Sequence, residues 1–142
     1  MKTLQTATAV IEAGTGAALL GCPSAVVVLL LGSGLDTPAA VILGRLAGAA
    51  LLALAVACWL VRVDAQSRAA RGLVSAMFGY NFAAVAILAF AGISLNLRGV
   101  ALWPAVVLHA VMTIWCVVEL RRPPPAKPTE KPTGVIPAKP RR

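Results

Sequence analysis

The chain has 142 residues, enough for one domain, and is 59% hydrophobic with only 13% charged residues. Soluble domains run at roughly 45–50% apolar and about 25% charged, so this composition excludes an ordinary water-soluble globule. The net charge of +8 does not point to nucleic acid, because the cations are not clustered on one patch but gathered in particular connections between apolar runs.

A bilayer core about 30 Å thick requires roughly 20 apolar residues per helix. Four stretches approach that length, residues 4–22, 39–61, 73–93 and 100–118. Runs such as "LLALAVA" lack the alternation of a membrane β-barrel. The expected fold is therefore an all-α integral membrane four-helix bundle over residues 1–121.

The first span is the least apolar, interrupted by Glu12. "GCP" at Cys22 and Pro23 is expected to end it, since proline lacks a backbone donor and disfavours helix in the residue before it. "SAVVVLLLG" is then too short to cross again and reads as a short interfacial helix. A competing reading continues the first span over 13–31 with a kink at Pro23, leaving Glu12 at the membrane edge. "LLGC" also resembles the box before a lipid-modified cysteine, but Glu12 breaks the apolar run that a signal peptide needs.

The second span, "AAVILGRLAGAALLALAVACWLV", carries Arg45 inside its first end. Gly44 and Gly48 form a G-x-x-x-G strip suited to close helix packing, either within the chain or in a homo-oligomer. "DAQSRAARG" is a polar connection to the third span, which contains Tyr80 and Asn81. The fourth opens with Trp103 and Pro104, both tolerated at a membrane-interface helix start. "PPPAKPTEKPTGVIPAKPRR" lacks aromatics and cannot bury a core, so 122–142 is expected to be a disordered basic tail. Its cations would favour anionic lipids.

Lys2 precedes the first span, Arg62, Arg68 and Arg71 separate the second from the third, and seven basic residues follow the fourth. The other two connections hold only Asp36 and Arg98. By the positive-inside rule, both termini and the middle loop are expected in the cytoplasm.

Intramembrane polar residues are costly and tend to face inward and pair. Counted along each span, Glu12, Asn81 and His109 fall near mid-depth, with Arg45 somewhat nearer the far side. The simplest pair is Glu12 with Arg45, helped by Asn81 or Tyr80; the alternatives are that Arg45 snorkels to head groups or contacts a ligand. His109 has the chemistry of a proton carrier or metal ligand, although a bond across helices to Asn81 serves equally well. One histidine does not make a bis-histidine haem site, and Met77 and Met112 read as packing residues, so no cofactor or metal is expected. Cys22, Cys58 and Cys116 show no metal spacing and read as packing residues.

No glycosidase carboxylate pair, GxSxG, phosphate loop or HExxH occurs. Glu119, beside Arg121 and Arg122, reads as a solvated charge. The expected function is non-enzymatic: an intramembrane cluster that binds a small ligand or holds another membrane protein. The alternatives are a proton-coupled small-solute carrier acting as an oligomer, and a membrane redox or enzyme subunit using His109.

The motifs "E-A-G-T-G-x-x-L-L-x-x-P" from Glu12, "R-L-A-G-A-A-L-L-A-L" from Arg45, "Y-N" at Tyr80 and "L-W-P-A-x-x-L-H" ending at His109 resemble a family of small uncharacterised bacterial inner-membrane proteins with four spans. The resemblance covers roughly residues 5–120. It implies a fold and a bacterial inner-membrane location and carries no activity.

Overall fold

The structure is a computed structural model and describes residues 1–123. Every regular element among them is helical: α1 (Lys2–Gly21), α2 (Pro23–Leu31), α3 (Pro38–Val61), α4 (Arg68–Ile93) and α5 (Leu102–Arg121). A short 3-10 turn, Arg62–Asp64, extends α3. The tail from residue 124, expected to be disordered and to meet anionic lipid, lies outside the described residues.

The boundaries follow local chemistry. At the end of α1, Cys22 takes a non-helical φ of −132° before Pro23, which occupies the first position of α2. The two helices bend by 114° at this break. Gly32 ends α2 at φ +80°, a left-handed conformation open to glycine, with its N–H donating to Val28 O at 2.8 Å. Thr37 caps α3 by accepting the Ala40 N–H, and Ser67 caps α4 by accepting that of Ala70.

Pro38–Asp64, Arg68–Ile93 and Leu102–Arg121 are each long and apolar enough to cross a membrane. α1 reaches that standard only when joined with α2, giving three such spans or four. Its shortfall has a simple cause, the side chains of Gln5, Thr8 and Glu12, all of them buried. The outer surfaces instead present large apolar residues, among them Leu43 and Leu60 on α3, Phe82 and Ile87 on α4, and Ile114 on α5. Large apolar side chains outside, with polar ones such as Gln5, Thr8 and Glu12 turned inward, suit a lipid surround.

α1 packs along α3, and α4 along α5. One buried cluster joins the two pairs: Leu4 and Ala9 from α1, Cys58 from α3, Val74 and Met77 from α4, Met112 and Cys116 from α5. The α1–α3 contact is close at Gly16 and Gly48, where a Cβ on Gly48 would lie 2.7 Å from Gly16 O. The G-x-x-x-G strip is thus used inside the chain: Gly48 meets α1, and Gly44 faces Pro23 and Leu35. At the opposite end from the N-terminus, the Ala101 N–H donates to Leu29 O at 2.8 Å, and Gly99 lies directly against the Leu30 backbone. A side chain at Gly99 would collide with that carbonyl, so α2 joins the two pairs there.

Candidate functional site

The buried face of α1 carries Leu4, Gln5, Thr8, Ala9, Glu12 and Gly16, a stripe of residues three and four apart. Half of it is polar. Val74, Met77 and Asn81 form the corresponding stripe on α4, and Met112, Cys116 and Glu119 that on α5, with His109 one turn earlier. Gln5, Thr8, Glu12, Asn81 and Glu119 therefore lie on the faces that form the core, with His109 half-buried beside them.

Two contacts set the register of the helices. The Met1 amino group pairs with Glu119 Oε2 at 2.7 Å, which puts the starts of α1 and the end of α5 at one level. At about 1.5 Å per residue, Glu12 and His109 each lie about 15 Å inward from that contact, in a common layer. A bilayer core about 30 Å thick would place this layer near its middle. Asn81 belongs to it through a 2.8 Å hydrogen bond to His109 Nδ1.

That bond has a definite polarity. Asn81 Nδ2 donates to Met77 O at 2.8 Å, which leaves Asn81 Oδ1 as the acceptor and His109 Nδ1–H as the donor. In the neutral ring, Nε2 then keeps a free lone pair. Tyr80 packs edge-on to the imidazole, with ring centroids 5.7 Å apart, and Thr113 Oγ1 donates to the His109 carbonyl. Tyr80 and Asn81 are adjacent in the chain yet both meet His109, one by its ring and the other by its amide.

Arg45 does not join this layer. The contacts of Gly16 with Gly48 and Leu52, and of Gly48 with Gly16 and Leu20, put Glu12 level with the region around Val56. Arg45 is then about 15 Å further along α3 at 1.5 Å per residue, beyond the span of an ion pair. It is exposed, and no ion pair joins it to Glu12 among the described residues. The expected Glu12–Arg45 pair is thus absent. Depth counted separately along each helix missed the glycine contact that slides α1 against α3. Arg45 instead faces outward one to two turns inside α3, a position from which a guanidinium can reach head groups.

Glu12 is 4% exposed and has neither an ion pair nor a side-chain hydrogen bond among the described residues. Gln5 is also buried, with both amide atoms unpartnered. Glu119 corrects a second expectation: it is buried, not solvated, and holds both the Met1 amino group and Arg122 Nη1, the latter at 3.1 Å. Its spacing from Met112 and Cys116 extends the inner stripe of α5, a periodicity visible in the sequence. Gln5, Thr8 and Glu12 were legible in the same way, as a polar stripe at steps of three and four. Gly16 carried no signal beyond being small. Among the described residues no group of three or more histidine, cysteine or carboxylate side chains is placed to hold a metal.

No protein-family model matches the chain, and neither a curated protein nor a solved structure does so.

Proposed function

We propose that this is a multi-pass membrane protein, a four-helix bundle of bacterial inner-membrane type with both termini cytoplasmic, whose interior polar layer binds a small polar ligand. The observation that supports it is Glu12: a buried carboxyl, without an ion pair among the described residues, in the same layer as an imidazole whose Nε2 has no hydrogen bond among them. Intramembrane ionisable groups are expensive, and one without a partner is a site awaiting one. Glu12, Tyr80 and His109 supply a carboxyl, a phenol and an imidazole, enough to orient a small molecule by hydrogen bonds. The inward placement of these groups favours ligand binding over assembly with another membrane protein, for which the outward face offers mainly apolar side chains.

Native mass spectrometry of protein released directly from membranes tests this reading. A small-molecule adduct is expected on the wild type and is expected to be lost in Glu12→Gln and His109→Gln, with both variants still folded. A wild type without adduct, together with a Glu12→Gln protein that melts well below it, would mean that the carboxyl is a structural group and would sink the proposal.

A further inference from the structure

At the basic end of the molecule, a cavity of about 650 Å³ opens between the starts of α1 and α4 and the ends of α3 and α5. Its walls include Lys2, Arg62, Arg71 and Arg122 against two carboxylates, Asp64 and Glu119. Glu119 is already engaged by Arg122 and the Met1 amino group. Two of the cations are held by contacts to neutral groups, and neither has an ion pair among the described residues. Arg71 donates to the carbonyls of Leu120 and Arg122, capping α5. Arg62 lies 3.4 Å over the Trp59 ring and donates from Nε to the Trp59 carbonyl. The cavity thus presents guanidinium groups already held in place, and guanidinium groups suit phosphate oxygens.

Trp59 links this cavity to a second feature. An apolar groove of about 300 Å³ runs along the α1–α3 seam between Ala9, Val10, Ala13, Ala55, Val56 and Trp59. On α1, Thr3 lines the cavity and Val10, seven residues on, lines the groove; Val63, in the 3-10 turn that extends α3, lines the cavity seven residues beyond Val56 of the groove. Residues seven apart on an α-helix share a face, so along α1 groove and cavity follow one side of the seam, with Arg62 stacked on Trp59 at the junction. A ligand matching both would carry an anionic head and an aliphatic chain. The chain that leaves the cavity at Pro123 is itself basic, with Lys127, Lys131, Lys139, Arg141 and Arg142 against Glu130, and is not the complement of this charge.

We propose that this seam binds an anionic phospholipid, its phosphate-bearing head group in the cavity beside Arg62 and Arg71 and an acyl chain in the groove beside Trp59. The assignment rests on the membrane reading above and is independent of the interior polar layer.

The test uses full-length protein with Trp59 as the only tryptophan, Trp103 and Trp115 being replaced by phenylalanine, in phosphatidylcholine vesicles. Brominated-chain phosphatidylglycerol or brominated-chain phosphatidylcholine is added at equal minor fraction, and the quenching of Trp59 is compared. Stronger quenching by the brominated phosphatidylglycerol is expected. Arg62→Gln and Arg71→Gln should each reduce the preference about fivefold, the weight of one basic residue near a membrane surface. Lys2→Gln, an exposed position, should lower it without touching helix packing. Arg121→Gln, exposed and outside the cavity, should leave it unchanged.

Equal quenching by the two lipids would overturn the proposal. So would a loss in Arg121→Gln as large as in Arg62→Gln, which would mean diffuse attraction, or abolition of the preference by excess inorganic phosphate, which would mean a free-anion site. A companion protein retaining only Trp103, exposed at the far end of α5, separates these outcomes from failure of the membrane reading. Its tryptophan should be quenched by both brominated lipids alike, and absence of quenching there would refute membrane insertion itself.

Discussion

Replacing Gly48 by alanine perturbs the close approach of α1 and α3. The new Cβ would lie 2.7 Å from both Gly16 O and Leu20 N, and 3.0 Å from Leu19 Cβ. Ordinary van der Waals contact begins near 3.4 Å, so α1 and α3 must separate by about 0.7 Å. Two of the three obstacles are backbone atoms, which no rotamer change can move aside. A gap of 0.5–1 Å forfeits a quarter to a half of the dispersion attraction between the atoms concerned, and overpacking of this kind costs about 1–3 kcal/mol. Gly16→Ala meets Gly48 O at 2.8 Å and Leu52 N at 2.9 Å, and a similar loss follows. Because one displacement accommodates both changes, the double variant should cost clearly less than the sum of the two. Gly79→Ala is the contrast, since nothing lies within 4 Å of its Cβ; removal of a helix-interior glycine should stabilise by about 0.5–1 kcal/mol. Reversible unfolding in mixed micelles, followed by tryptophan fluorescence, measures all four variants. A Gly48→Ala protein as stable as Gly79→Ala would refute the close α1–α3 approach and the register built on it.

Arg45→Gln should change stability by under about 0.5 kcal/mol, as expected for an exposed position, and combine additively with Glu12→Gln in a thermal-melt cycle. A coupling above about 1 kcal/mol would place the two side chains in contact after all. For Asn81→Ala and His109→Ala, the cycle should return a coupling of about 0.6 kcal/mol, the average measured for hydrogen bonds between membrane helices, and at most about 1.7 kcal/mol. No coupling would remove the Nδ1 bond and, with it, the case for a free Nε2.

The α1–α2 break at Pro23, the caps at Thr37 and Ser67 and the apolar lengths of α3, α4 and α5 all follow from the sequence. Each depends on the chemistry of a few neighbouring residues, which composition and spacing report directly. The cross-helix meeting of His109 with Asn81 was also within reach, since each is a polar group at similar depth in a mainly apolar helix. What the sequence could not decide was how far one helix slides along another. That sliding is fixed by where backbones come close, at Gly16 against Gly48, and by the closure of Met1 on Glu119. Glycine is common in such chains and a terminal carboxylate looks solvated, so neither announces its partner. The register they impose moves Arg45 about 15 Å from Glu12 at 1.5 Å per residue, turns it outward, and leaves the carboxyl in the interior without an ion pair among the described residues. Burial follows the same logic: Gln5, Thr8 and Glu119 are polar by composition but lie on the stripes that the helices turn toward one another, and only their assembly excludes solvent from them.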